Sequence, residues 1–261
     1  MGFSAAGGAS VRSEREFPFR LTVMDAVIGA GGSVLLGSGI LAGYLQQKHY
    51  TPPASLLNPG TIAPFDRSAT TMYHPTLDKA GNLLLGGFLL ASPSVAGFGT
   101  FRNGEWKNLF TLAVLYSETV VYSLAVSSWS KALVSRYRPY LYNSGIDQET
   151  RLDLASHDDA RRSFFSRHTI LAFSSAVFFS TVAADLMEPE WYTRAAQITS
   201  LGVATGIGIS RVASGEHFTS DVLAGAAAGA AIGFLVPRMH RSNSGTTISC
   251  WGNGIALSLS Y

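Results

Sequence analysis

Apolar residues along the chain fall into six long runs separated by polar segments. The runs cover residues 23–44, 80–98, 109–129, 169–187, 195–209 and 222–236. A helix needs about 20 apolar residues to cross a bilayer, and the first four runs come close to that length. The last two runs are shorter, so we expect flanking polar residues to supply their missing helical turns. The pattern predicts an all-α fold, a bundle of six transmembrane helices.

Composition agrees with a membrane location. Charged residues make up 14% of the chain and hydrophobic residues 47%, with 27 glycines, whereas an average soluble domain is roughly 25% charged. Small residues allow helices in lipid to approach closely. Gly225, Gly229 and Gly233 recur every four residues in the last run and predict close packing against a neighbouring helix.

Charge and cysteine content exclude some functions. A formal net charge of +2 is too small to indicate nucleic-acid binding. The single cysteine, Cys250, excludes an intrachain disulfide and a cysteine-based metal cluster. The expected environment is therefore the bilayer, and the sequence leaves the oligomeric state open.

Six spans would place both chain ends on one side of the membrane. We divide the chain into a cytoplasmic N-terminal segment at 1–22, one transmembrane domain at 23–236 and a C-terminal tail at 237–261. The alternating end of the tail permits either a hairpin or a disordered segment and is given no role. Polar residues cluster on the other side, where three distant stretches meet: Lys131, Arg136, Arg138, Ser166, Arg167, His168, Ser210, Arg211, His217 and Asp221. Such a set, without cysteines, favours an oxyanion site over a zinc site.

The spacing of these residues resembles three signatures of the type-2 phosphatidic acid phosphatase superfamily. Lys131, six residues and then Arg138 followed by proline resemble the first signature. Ser210-Arg211, five residues, His217, three residues and Asp221 match the third. The segment that carries the signatures runs from residue 131 to 225.

The second signature is altered. The family has Pro-Ser-Gly-His where this chain has Phe165-Ser166-Arg167-His168, so the serine and the histidine match. Arginine in place of glycine keeps the backbone N–H but removes conformational freedom. This departure bears on substrate range and rate more than on reaction type.

The resemblance implies a lipid phosphatase that hydrolyses a phosphomonoester or diphosphate on a membrane lipid through a phosphohistidine. It implies that His217 is the nucleophile, that Asp221 holds the other ring nitrogen of His217, and that His168 protonates the leaving group and then activates water. The expected phosphate-binding residues are Lys131, Arg138, Ser166, Arg167 and Arg211. No metal and no cofactor are expected.

Several alternatives remain open at this point. A phosphotransferase would use the same phosphohistidine with another acceptor, and an inactive relative would follow if the change at Arg167 were disabling. A vanadate-dependent haloperoxidase shares the signatures, but such relatives are soluble and six apolar runs argue against it. The alternative outside enzymes is a transporter or a structural membrane protein.

Basic residues predict the orientation. Setting aside the five that lie in or beside the motifs, six remain on the side of the site against eight on the side of the chain ends. Because basic residues near span ends favour the cytoplasm, we expect a multi-pass protein of a bacterial-type cytoplasmic membrane with its site facing outside. Two acids lie within the runs: we expect Asp25 to reach the interface and Glu118 to hydrogen-bond in the interior.

Overall fold

The computed structural model describes residues 17–53, 57–102, 106–187, 189–242, 247–251 and 254–258. Within these residues the chain forms seven α-helices: α1 (Val23–Gln47), α2 (Pro75–Arg102), α3 (Trp106–Val134), α4 (Gln148–Ser156), α5 (Arg167–Leu186), α6 (Glu190–Ala213) and α7 (Thr219–Met239). Two strands near the C-terminus, β1 (Thr247–Trp251) and β2 (Gly254–Ser258), pair antiparallel with Thr247 opposite Ser258.

The helical class is confirmed, whereas the count of six transmembrane helices is not: the described residues form seven helices. Six helices contain the six apolar runs, and α4 is an additional helix of nine residues in the polar connection between α3 and α5, too short to cross a bilayer. The two short runs do extend into their polar flanks, giving 24 residues in α6 and 21 in α7. In the described part of the chain, four helical stretches are both long and apolar enough to cross a membrane: α1, α5, α7 and the stretch that begins with α3.

α5 lies at the centre of the bundle and packs against α2, α3, α6 and α7, while α1 packs against α3. The contact between α5 and α7 depends on glycine. A Cβ atom on Gly229 would lie 2.3 Å from the Ile170 carbonyl oxygen, and one on Gly233 would lie 2.2 Å from the Ser174 carbonyl oxygen. The two backbones therefore touch, and the close packing predicted from the glycine spacing is confirmed.

The described ends of the chain meet at one end of the bundle. Phe19 forms a β-bridge with Arg241, and the Arg20 N–H donates to the His240 carbonyl at 3.0 Å. The segments next to the start of α1 and the end of α7 therefore lie together, and a shared side of the membrane for the two chain ends stays a prediction. Residues 1–16, with Arg12 and Arg15, lie outside the described residues.

At the opposite end, the connecting segments have a small core of their own. Ala69, Tyr140, Leu141, Tyr142 and Phe218 are buried there against one another. This core holds the segments before α2, after α3 and between α6 and α7 at fixed positions. Those segments carry or adjoin the predicted site residues.

Candidate active site

A cavity of about 390 Å³ opens at the end of the bundle opposite the chain ends. Six of the eight predicted site residues line it: Lys131, Arg138, Arg167, His168, Arg211 and His217. The convergence of three distant stretches inferred from the motifs is therefore present in the structure. Ser166 and Asp221 are buried and do not line the cavity.

His217 lies in the tight loop that joins α6 to α7. Gly215 makes the loop possible: its φ is +81°, and a Cβ atom there would lie 2.2 Å from the Met72 carbonyl oxygen. The loop turns back toward the end of α6, where the His217 N–H donates to the Arg211 carbonyl at 3.1 Å. This geometry places the His217 side chain at the cavity with 2% of its surface exposed.

The ring of His217 is held in one tautomer by a backbone carbonyl. Its Nδ1 lies 2.6 Å from the Ser163 oxygen, and because a carbonyl only accepts, Nδ1 carries the proton. Nε2 then carries the lone pair, and it hydrogen-bonds to none of the described residues. A histidine in this state presents a nucleophilic nitrogen to the cavity.

The motif predicted that Asp221 holds the ring of His217 directly, but in the structure Asp221 does not hydrogen-bond to that ring. Its Oδ2 lies 3.9 Å from His217 Nδ1 and accepts from the Ser163 Oγ–H at 2.5 Å and from the Phe218 N–H at 2.9 Å. Asp221 thus fixes both Ser163 and the start of α7, and it can orient His217 only through them. Ser163 belongs to no signature, so sequence reasoning missed it.

Arg136 ties this arrangement to the segment before α2. Its guanidinium donates to Asp221 at 2.5 Å, to Ser220 at 2.6 Å and to Asp66 at 2.8 Å, and it lies 3.9 Å from the ring centroid of Phe218. The pKa of Asp66 is lowered because hydrogen bonds from Ser220 and Arg136 outweigh the effect of burial. Arg136 was seen in the sequence as one of the clustered cations, and its partner Asp66 was not anticipated.

Three buried basic side chains surround the cavity. Lys131, in the last turn of α3, is 3% exposed; Arg138 is 5% exposed and Arg211, in the last turn of α6, is 1% exposed. Arg167 also lines the cavity and is exposed. Arginine and lysine held in a shielded site bind phosphate oxygens strongly.

Carboxylates that the motifs do not include neutralise these arginines. Arg138 donates to Asp159 and Glu216, and Arg211 donates to Asp78. Burial raises the pKa of Glu216 in spite of the neighbouring Arg138. The arginines are therefore held in place by acids that a phosphate would compete with.

The same cations act on His217. Burial, together with the charges of Arg138, Lys131 and Arg211, holds the pKa of His217 well below its usual value. The imidazole is consequently neutral at pH 7, as nucleophilic attack requires.

His168 is the second residue of α5, and Ser166 starts that helix. The Ser166 Oγ accepts from the Thr169 Oγ1–H at 2.9 Å and from the Thr169 N–H at 3.4 Å, which makes Ser166 a helix cap. His168 Nε2 lies 2.5 Å from the Asn82 amide oxygen, so Nε2 carries a proton. Asn82 and Asp78 reach the cavity because α2 begins at Pro75, five residues before the apolar run.

Comparisons with known proteins address the family of the chain. The sequence model described as "PAP2 superfamily" matches residues 111–244, just over half of the 261 residues. This chain belongs to the PAP2 superfamily. The matched segment includes every predicted site residue, from Lys131 to Asp221.

One curated relative and one solved structure are more distantly similar to the chain. The chain is 28% identical over 166 residues to a lipid A 1-phosphatase of Porphyromonas gingivalis, which covers 62% of this chain and 30% of that protein. The chain thus spans about a third of the length of that relative. The crystal structure of a transmembrane PAP2-type phosphatidylglycerolphosphate phosphatase from Bacillus subtilis aligns with a TM-score of 0.46 at 18% identity, covering 81% of this chain and 93% of that one.

Proposed function

We propose that this protein is an integral membrane lipid phosphatase that hydrolyses a phosphomonoester or diphosphate on a membrane lipid, with His217 as the nucleophile. One observation carries the proposal: the unprotonated Nε2 of His217 faces a cavity whose walls hold Lys131, Arg138 and Arg211. Membership of the PAP2 superfamily and the apolar helices support the same conclusion.

Substrate binding begins with an exchange of anions. The phosphate oxygens replace Asp159, Glu216 and Asp78 on the two buried arginines. Asp159 is suited to leave because 60% of its side chain is exposed, so that water takes over its hydrogen bonds. Lys131 adds a third positive charge, and the charge that spreads over the phosphoryl oxygens in transfer is thereby neutralised.

Chemistry then proceeds in two displacements. The Nε2 lone pair of His217 forms a bond to phosphorus while the bond to the lipid oxygen breaks. His168, which takes up a proton beside the bound phosphate anion, gives that proton to the lipid oxygen. The Nδ1–H of His217 stays on the Ser163 carbonyl, so the phosphorylated ring is cationic and a good leaving group. Neutral His168 next takes a proton from water, whose oxygen attacks phosphorus and restores His217.

Each charge that develops in these steps faces lysine or arginine, so we propose that catalysis requires no metal ion. Chelator-treated protein, assayed below its melting temperature, should retain its kcat. A kcat that is lost with EDTA and restored by a divalent ion, while the protein stays folded, would contradict this part of the proposal.

We also propose that the site faces away from the cytoplasm, with residues 1–22 and 237–261 inside. With the five basic residues in or beside the motifs set aside, eight basic residues on the side of the chain ends against six on the side of the site motivate this orientation. An alkaline phosphatase fused after Arg241 should be inactive in intact bacterial cells. An active fusion would reverse the orientation.

The experiment that tests the activity is phosphate release from a panel of lipids by detergent-purified protein. The panel comprises phosphatidic acid, phosphatidylglycerol phosphate, polyprenyl diphosphate and the 1-phosphate of a lipid A-like glycolipid. We expect release from at least one of them by the wild type, none by His217→Ala, and unchanged release by the control His49→Ala, an exposed histidine away from the cavity. Release by His217→Ala at the wild-type rate would remove the mechanism.

The intermediate can be trapped separately. In His168→Ala the second displacement lacks its base, so brief incubation with a phosphate-labelled substrate should leave acid-labile label on the protein. Label that passes to a second lipid or a sugar in the wild type, with no free phosphate, would identify a transferase. Absence of label from both proteins during turnover would exclude the phosphohistidine.

A further inference from the structure

The end of the bundle away from the cavity holds a second buried histidine with two acids. Asp25 lies in the first turn of α1, Glu118 in the middle of α3, and His240 caps the end of α7. Asp25 is 9% exposed, Glu118 5% and His240 5%, so all three side chains are buried. We call these residues the terminal triad.

The atoms of the terminal triad converge on one point. His240 Nε2 lies 2.6 Å from Asp25 Oδ1 and 3.3 Å from Glu118 Oε2. One ligand atom from each residue falls within 4.8 Å of the other two. Neither His240 Nε2 nor Glu118 Oε2 makes a hydrogen bond of good geometry to any described residue. Two buried polar atoms therefore face each other without a hydrogen bond. Burying such atoms costs free energy unless a cation lies between them.

The protonation of His240 sharpens this point. Its Nδ1 lies 2.7 Å from the Val236 carbonyl oxygen, so Nδ1 carries a proton and Nε2 of the neutral ring is a lone pair. A lone pair that faces two carboxylates is repelled by both. Histidines that bind metals show this same arrangement, with one ring N–H on a backbone carbonyl and the other nitrogen on the ion.

The charges of the terminal triad also favour a bound cation. One imidazolium leaves the two carboxylates with a net charge of −1 in a buried place. A divalent cation with a neutral histidine and two carboxylates sums to zero.

We propose that the terminal triad is a structural binding site for a divalent transition-metal ion, with Zn²⁺ as the preferred occupant. One imidazole and two carboxylates with a water molecule make a four-coordinate set suited to Zn²⁺. Ca²⁺ requires more oxygen ligands and Mg²⁺ retains several waters. The ion would join α1, α3 and α7 at the end of the bundle away from the cavity. Glu118 lies 13 residues before Lys131 on α3, about 20 Å from the catalytic cavity.

The test uses the full-length protein, purified in detergent without a polyhistidine tag, and measures bound metal and melting temperature. After incubation with Zn²⁺ and removal of excess ion, the wild type should retain about one Zn²⁺ per chain, as a three-ligand site predicts. Glu118→Gln and His240→Gln should lose it. The matched control is Asp185→Asn, which removes an ion pair with Arg241 at the same end of the bundle and should keep the zinc.

A second measurement covers variants that do not fold. In the wild type, chelation should lower the melting temperature and Zn²⁺ should restore it, because an ion bound to the folded state stabilises it. Co²⁺ should bind with visible absorption bands that Zn²⁺ abolishes. The proposal would be overturned if the wild type retained no zinc and its melting temperature changed with neither chelator nor Zn²⁺. Protons shared among the three side chains would then hold the triad together. Equal zinc in Glu118→Gln and the wild type would also overturn it.

Discussion

Two buried histidines at opposite ends of the bundle share one tautomer and have opposite surroundings. His217 and His240 each place Nδ1 on a backbone carbonyl, at 2.6 and 2.7 Å. Around His217 stand Lys131, Arg138 and Arg211, whereas His240 faces Asp25 and Glu118. The first ring is suited to meet an anion and the second to meet a cation. The charges around an imidazole, more than its own protonation, therefore decide its chemistry.

Access separates the two ends as well. The acids that hold Arg138 and Arg211 lie beside an open cavity, and their side chains are 21–60% exposed. The terminal triad has side-chain exposures of 2–9%. Exposed partners exchange with a substrate at little cost, while buried partners stay together. The ion pairs at the cavity can therefore open to admit an anion, whereas those of the terminal triad stay closed.

The largest effect should come from the same substitution at each end. His217→Gln should lower kcat at least about 10⁴-fold, because a glutamine cannot accept the phosphoryl group, and should leave the melting temperature near that of the wild type. His240→Gln should instead lower the melting temperature and leave kcat near that of the wild type, when phosphate release is measured well below the melting temperature of the variant. If His240→Gln lost activity while remaining folded, the two ends would not be independent.

An intermediate effect should separate the arginines. Arg211→Ala should lower kcat/KM by about 10²- to 10³-fold, since it removes a charge that meets the transferring phosphoryl group. Arg241→Ala breaks the ion pair with Asp185 at the other end and should leave kcat/KM within about twofold of the wild type. Steady-state kinetics on one lipid substrate compare the two. Arg211→Lys should recover part of the loss, and equal losses in the two alanine variants would indicate a general effect on folding.

The smallest effect concerns the carboxylates paired with arginine. Asp159→Asn should raise kcat/KM by about two- to threefold at low salt, because it removes an anion that competes with the substrate for Arg138, and the gain should shrink as salt screens the charge. Asp185→Asn should leave kcat/KM unchanged. A tenfold loss in Asp159→Asn would instead place Asp159 in the catalytic machinery.

Much of the molecule was readable in the sequence because its signals are local. Apolar runs predicted six of the seven described helices, and the glycine spacing on α7 predicted its contact with α5. α4 was missed because its residues are polar and carry no apolar run. Basic residues at the ends of the apolar runs predicted the position of the cavity, because helices that cross one bilayer have their ends at the same membrane face.

What the sequence determined by itself is the set of groups: a chain with apolar runs, and three motifs that supply histidine, lysine and arginine. What only the tertiary structure decided is which atoms face one another. Asp221 comes four residues after His217, yet the Ser163 carbonyl, 54 residues away in the sequence, holds the ring. Glu118 and Asp25 look like isolated acids until the ends of α1 and α7 meet beside α3. Partners of this kind are set by the packing of whole helices, and no spacing along the chain records them.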